Sequence, residues 1–399
     1  MFSSLSVRNF RVYWLGMLVS LIGTWIQQVA QSWLVFELTR SAFLLGFVGF
    51  LSSLPVLIFS LFGGVLADRV NKRNILIATQ ISFMLLAFVL GFLTQFKLIT
   101  AAQIMVIAFL NGTVMAFDGP ARQSIVVELV GKRHLFNAIA LNSVSFNSSR
   151  VIGPALAGIF FATLGMSGCF YINALSFLAV IFALLSIKTI VQPRNSRSEG
   201  AIGDLKEGLI FIKNNPLILT LISMVGVVSL FGVAHVILMP IFANDILKVG
   251  VKGLGILMSS SGVGALLGAL LLARLGDFKH KGKLLLFSAM LFSFSLVIFS
   301  LSRTFILSTL ALGILGFASV TAIALVNTIL QTSVEDSYRG RVMSVFMITF
   351  AGMMPFGHLI AGSLASVKGV SFAVLAGGVV CAVFFTLVAL FHRDILEIK

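Results

Sequence analysis

The feature that most constrains this chain is the regular return of apolar runs long enough to cross a lipid bilayer. Twelve can be drawn, at roughly 10–38, 43–66, 74–95, 100–120, 135–164, 167–188, 216–244, 252–274, 283–301, 304–331, 342–366 and 370–391. Each is charge-poor and about twenty residues or longer, the length an α-helix needs to traverse ~30 Å of hydrocarbon. None alternates apolar and polar residues as a β-barrel strand does. Lipid offers a backbone no hydrogen-bond partner, so such runs must be helical. Of the 399 residues, 59% are hydrophobic and 10% charged, and the mean hydropathy is +1.10; that balance excludes a water-soluble globule. The polar stretch Met1–Asn9 leads directly into the first run, so no cleaved signal peptide is expected.

The formal net charge of +15 raises the question of an acidic partner, and its distribution answers it. With the N-terminus inside, most Lys and Arg residues fall in the inner loops, among them Arg8, Arg11, Arg69, Lys72, Arg73, Lys132, Arg133, Lys281 and Arg341. The outer loops hold few: Arg40, Lys97, Lys248, Lys252, Arg303 and Lys368. Both termini are therefore expected to face the cytoplasm, and the basic excess is an orientation signal, not a nucleic-acid footprint. Cys169 and Cys381 lie in different runs, and no His or Cys spacing fits a metal; neither a disulfide nor a metal site is expected.

The second half repeats the first. Gln331, Arg339, Gly340 and Arg341 follow Gln123, Gly131, Lys132 and Arg133 by 208 positions, an offset that also overlays His358 on Arg150. Leu254 and Gly255 follow Leu45 and Gly46 by 209, as Asp277 follows Asp68. A period near half the chain predicts an all-α membrane protein of twelve transmembrane helices in two pseudo-symmetric six-helix bundles. The expected division is 1–190 for the first bundle, 191–215 for a cytoplasmic linker with a short amphipathic helix, and 216–399 for the second bundle.

One short hairpin carries much of the polarity. Gly63-Gly64-Val65-Leu66-Ala67-Asp68-Arg69-Val70-Asn71-Lys72-Arg73 closes the second run and opens the third. Glycines there let two helices approach closely, and Asp68 needs a cation or a helix N-terminus beside it. These residues resemble the signature between spans 2 and 3 of the major facilitator superfamily: Gly64, Leu66, Asp68, Arg69, Lys72 and Arg73 match, while Asn71 stands where that family usually has Gly, a residue that like Asn tolerates left-handed backbone angles. Asp118 and Arg122 close the fourth run at the same level, with Gly119 and Pro120 between them as a potential helix break. An ionic cluster of Asp68, Arg69, Arg73, Asp118 and Arg122 is expected there, latching one conformation and opening in the other; a solvated loop charge pair worth little is the plain alternative.

Inside the spans, polar residues are few enough to count individually. Gln27, Gln28 and Gln31 share a broad face of the first run, either gluing helices or lining a substrate path. Asn147 precedes Arg150, a base about 20 Å from its helix start, which must meet water, a partner or a ligand. Gly153, Pro154 and Gly158 follow as a small, kinkable face resembling the span-5 Gly-Pro motif of facilitator antiporters; close packing against span 8 is the other reading. His235, Asn327 and His358 extend the polar set, the histidines serving either packing or proton transfer.

No catalytic constellation, phosphate-binding loop or cofactor motif is present, so translocation, not catalysis, is the expected role. A cavity rich in Phe (38 in the chain) with a few amides, hydroxyls and one Arg suits a bulky amphipathic solute better than a sugar. Over its whole length the chain resembles the bacterial branch of the superfamily that holds the enterobactin exporter and macrolide efflux proteins, through Asn9-Phe10-Arg11, the hairpin, Asp118-Gly119-Pro120-Ala121-Arg122-Gln123 and Arg150 with Gly153-Pro154. That resemblance implies export driven by protons from a monomer in the bacterial cytoplasmic (inner) membrane. A lysophospholipid carrier and a transporter-like ligand sensor are the alternatives.

Overall fold

The computed structural model describes residues 3–187, 201–233, 235–276 and 278–398, and every regular element among them is helical. The expected linker at 191–200 and Asp277 lie outside the described residues. The helices are α1 (Arg8–Thr39), α2 (Ala42–Arg69), α3 (Lys72–Gln95), α4 (Ala101–Ser186), α5 (Ala201–Asn214), α6 (Pro216–Val227), α7 (His235–Ile241), α8 (Gly250–Leu275), α9 (Lys281–Leu301), α10 (Phe305–Ser333), α11 (Asp336–Lys368) and α12 (Val370–Phe391). Among the described residues, ten segments are long and apolar enough to cross a membrane, and the chain is a multi-pass membrane protein.

The longest segment, α4, has 86 residues, which as a straight rod would run to about 130 Å, several times the thickness of a bilayer. It is not straight. Gly131 (φ 65°, ψ 174°) and Gly165 (φ 71°, ψ −175°) leave helical geometry, in a region of backbone space that only glycine enters without strain. They divide it into α4a (101–130), α4b (132–164) and α4c (166–186), each long enough to span. The break expected at Gly119-Pro120 does not occur: the helix runs through both residues, because a transmembrane helix can re-satisfy the one carbonyl a proline frees. The seventh run, by contrast, is interrupted. It leaves α6 through a π-turn at Val228–Gly232, resumes as α7 and ends in a second π-turn at Phe242–Ile246.

Local chemistry sets the helix starts. Asn71, expected to offer left-handed freedom, has φ −59° and instead caps α3, its side chain accepting the Arg73 N–H. Thr100 and Gln103 form a reciprocal capping box at α4a, and Asn215 caps α6 ahead of Pro216.

Two compact units result: Met1–Arg40, Leu51–Arg197 and Gly250–Ser259 form the first, and Ser41–Phe50, Ser198–Val249 and Ser260–Lys399 the second. The units do not coincide with the expected halves. The opening segment of α2 belongs to the second unit and the opening segment of α8 to the first.

The first unit is centred on Phe10, Tyr13, Met17, Leu76, Ile125, Val126 and Leu184, contributed by α1, α3 and α4. Trp14 Nε1 donates to the Leu141 carbonyl at 3.1 Å, and the Ser4 N–H and Oγ both donate to Asn137 Oδ1. These bonds fix the entry of α1 against α4b. In the second unit α8 and α10 cross with backbones nearly touching: a Cβ on Gly316 would lie 2.8 Å from the Ser261 carbonyl carbon, and one on Gly268 2.7 Å from the Phe317 oxygen. Small residues at such crossings are what membrane helices use in place of a hydrophobic drive. The short α5 lies on the start of α11. Phe211 stacks on Tyr338 with centroids 4.4 Å apart, Glu207 pairs with Arg341 at 3.1 Å, and Leu209, Ile210 and Lys213 remain exposed.

Gly316→Leu is expected to cost about 1–3 kcal/mol by overpacking and to lower the melting temperature of the purified protein by several degrees. Gly340→Ala, at a helical position with open space around it, should leave it unchanged or raise it.

Candidate functional site

The expected polar residues fall into four groups. The first joins α1 to α4c. Gly23 lets the two helices close until a Cβ there would lie 2.7 Å from Asn173 Oδ1. One turn on, Gln27 accepts from Asn173 Nδ2 at 2.6 Å and leans its own Nε2 on Gln31 Oε1 at 3.4 Å, while Ser176 donates to the Asn173 carbonyl and Oδ1. The buried Gln27 is thus helix glue. Gln31 is half-buried and Gln28 is exposed. An exposed amide in the middle of a spanning helix has to meet water, protein or solute, because hydrocarbon cannot bond it. Asn173 was not anticipated; its signal was an amide in mid-span, the same signal that marked Gln27.

On α4b, Asn147 donates back to the Ser143 carbonyl of its own helix at 2.8 Å, and Arg150 is half-buried. The small face beyond them is split between two neighbours. Gly153 packs on α1, where a Cβ would sit 3.0 Å from the Ile22 carbonyl oxygen. Pro154 and Gly158 pack on α8: Gly255 lies over the Pro154 carbonyl, and a Cβ on Gly158 would be 3.3 Å from the Lys252 Cα. Ser259 adds a bond to the Val151 carbonyl at 2.8 Å.

The expected ionic latch takes a different form. Asp118 is fully buried and both its oxygens are engaged. Oδ1 accepts from Thr79 Oγ1 at 2.8 Å and Gln80 Nε2 at 2.7 Å; Oδ2 accepts from Arg122 Nε at 2.7 Å and its terminal nitrogen at 2.6 Å. Arg122 also reaches Met17 Sδ at 2.8 Å. The cluster therefore rivets α1, α3 and α4a inside the first unit and does not reach Asp68. Asp68 and Arg69 are exposed and form no ion pair among the described residues. Arg73 instead donates to the carbonyls of Leu184 and Leu185 at the end of α4c, and Lys72 pairs with Glu128 at 2.6 Å; a guanidinium suits a helix C-terminus, whose last carbonyls lack partners. Close approach at the hairpin also shifts by one residue. Gly63 lies against Ala116 and Phe117, whereas Gly64 has open space.

In the second unit His235 is buried, its Nδ1 2.7 Å from the Gly232 carbonyl and its ring edge-on to Phe299. Asn327 accepts from Gln331. His358 lies where the opening segment of α2 crosses α11: a Cβ on Gly46 would be 2.7 Å from the Gly362 Cα, and one on Gly49 would be 3.0 Å from His358 Nδ1. This crossing is the repeat partner of Gly255 on Pro154, since Gly46 and Gly255 differ by 209 positions and Pro154 and Gly362 by 208. A groove of about 460 Å³ between α3 and α4c, lined by Met84, Leu85, Phe88, Tyr171, Ala174 and Leu175, carries no amide or charge.

Two helical units with repeat-related glycine crossings are the arrangement expected of the major facilitator superfamily, and comparison with known proteins shows that the chain is of that type. The chain belongs to the transmembrane secretion effector family, whose model matches residues 1–397. It is 26% identical to the staphyloferrin A transporter of Staphylococcus aureus, over 95% of this chain and 94% of that one. It is 24% identical to macrolide efflux protein A of Streptococcus pyogenes, over 93% and 92%. A bacterial homologue of the human lysosomal transporter Spinster, solved in an inward-facing and unoccupied conformation, shares the fold with a TM-score of 0.74 at 14% identity, over 97% and 98% of the two chains.

Asp118→Asn removes the counter-charge from Arg122 and is expected to cost about 3 kcal/mol, read as a fall in melting temperature. Asp68→Asn should leave the melting temperature unchanged.

Proposed function

We propose that this protein exports amphipathic small molecules in exchange for protons, by alternating access, in the bacterial cytoplasmic membrane with both termini on the cytoplasmic side. Counting α4 as three spans and Pro216–Ile246 as one gives the twelve-span chain on which this reading rests. The observation that carries it is the polar face at mid-span: exposed Gln28 beside half-buried Gln31, with half-buried Arg150 on α4b. So few polar groups in an apolar surround fit a solute with one or two polar ends. The names of the two relatives, a siderophore transporter and a macrolide efflux protein, support bulky amphipathic cargo. Asp118 is a poor proton carrier, because four accepted bonds tie it into a structural cluster. Away from the helix ends, the histidines inside the described spans are His235 and His358, the side-chain type suited to carrying a proton near neutral pH. The conformational latch reduces to Asp68, the exposed acid of the hairpin, with Arg69 beside it.

The apolar groove beside Phe88 and Tyr171 favours a second reading, a carrier of lipid tails. One assay separates the two. Purified protein in liposomes is given a pH step of about one unit, and the flux of a macrolide, a siderophore and a fluorescent lysophospholipid is followed. Gradient-dependent flux of the macrolide or the siderophore, abolished by a protonophore and reduced at least tenfold by Arg150→Ala, is the expected result. Movement of the lysophospholipid alone would select the lipid carrier, and flux indifferent to the gradient would remove the proton exchange.

A further inference from the structure

We infer that His358 is a pH-sensitive wedge: uncharged, it lets the opening segment of α2 lie against α11, and protonated, it drives that segment away. The crossing is unusually close. A Cβ on Gly46 would lie 2.7 Å from the Gly362 Cα and one on Gly362 2.9 Å from the Ala42 carbonyl oxygen, so the two backbones touch with no side chain between them. One turn further, Gly49 lies over the imidazole, its would-be Cβ 3.0 Å from Nδ1 and 3.1 Å from Cγ. Phe50 closes the site against Phe356, with centroids 6.2 Å apart. His358 is 8% exposed; the Gly49 backbone is the polar group that the α2 segment brings to the ring, and Nδ1 makes no hydrogen bond of good geometry.

A neutral imidazole fits this surround, but an imidazolium does not. Two N–H donors and a full charge need acceptors, a counter-ion or water, and burying a charge without them costs several kcal/mol. The segment Ala42-Phe43-Leu44-Leu45-Gly46-Phe47-Val48-Gly49-Phe50 supplies no polar side chain. Of the elements packed on α11, the π-turn at 228–232 brings Ser229, α7 brings His235 and α12 brings Cys381, while α6 and α10 bring no charged residue. α5 carries Asp204, Lys206, Glu207 and Lys213 and lies on the start of α11, where Glu207 pairs with Arg341, about 25 Å from His358 along the helix. On α11 itself Asp336, Arg339 and Arg341 lie at that same distant start, and Lys368 ends the helix. Among the described residues of these elements, no carboxylate faces the ring. Hydration, and therefore separation of the crossing, is what remains to the charged form.

The repeat sharpens the contrast. The residue equivalent to His358 beside the other crossing is Arg150, which keeps its charge at every accessible pH. Only the crossing that holds a histidine can be switched by protons.

The test needs no transported solute, so its outcome is independent of the exporter reading. Spin labels are placed on cysteines at Phe43 and Val367, both exposed, in a chain with Cys169→Ala and Cys381→Ala, and the inter-label distance is measured in nanodiscs at pH 8 and pH 5.5. Acidification should move the distribution outward by about 5 Å or more, one helical turn. The shift should vanish in His358→Asn and persist in His235→Asn. Gly49→Ala, which pushes a methyl into the ring, should lengthen the distance already at pH 8. His358→Gln serves as a second neutral variant, read on whichever of the two is monodisperse and helical. An unchanged distribution in the parent chain, or a pH shift that survives in the neutral variants, would overturn the inference.

Discussion

Hydrocarbon gives helices no reason to press together, since a lipid tail is as apolar as a leucine. What holds this protein is therefore contact at very short range: backbone against backbone where glycine removes the side chain, and polar groups that only another helix can satisfy. The crossings at Gly46, Gly255 and Gly316 are of the first kind. The Asp118 cluster and the Gln27–Asn173 pair are of the second. Both demand registry within a fraction of an ångström, and so they fix which helices are neighbours and how deep each one sits.

The same economy explains why the mid-span polar groups divide as they do. Gln27 and Asn173 satisfy one another, and Asn147 turns back on its own helix. Gln28 faces outward with no such closure. A chain with so few polar side chains in its spans commits most of them to architecture.

Much of the fold was legible in the sequence, and for identifiable reasons. Run length fixed the spans because bilayer thickness does. The offset of 208 to 209 positions marked the repeat, and the structure puts residues it relates at two crossings, Gly46 over Gly362 and Gly255 over Pro154. What could not be read was the choice of partner. Asp118 and Arg122 lay level with Asp68 and Arg69, and level alone suggested one ionic cluster; the structure keeps the Asp118–Arg122 pair, adds Thr79 and Gln80, two uncharged residues on α3 that carried no distinguishing signal, and leaves Asp68 out. Gly63 and Gly64 are adjacent and chemically identical, so only the rotation of α2 decides which faces a neighbour. Side-chain direction around a helix axis is a tertiary property, and a uniformly apolar span offers no periodicity from which to infer it.

The two compact units do not own whole helices. α2 starts in one and finishes in the other, with the change at Phe50–Leu51, and α8 does the same at Ser259–Ser260. Both junctions lie beside helix-bending sequence: Ser52-Ser53-Leu54-Pro55 in α2 and Ser259-Ser260-Ser261 in α8. A serine side chain can bond back to the preceding turn and a proline frees a carbonyl, which makes these the positions where each rod bends at least cost.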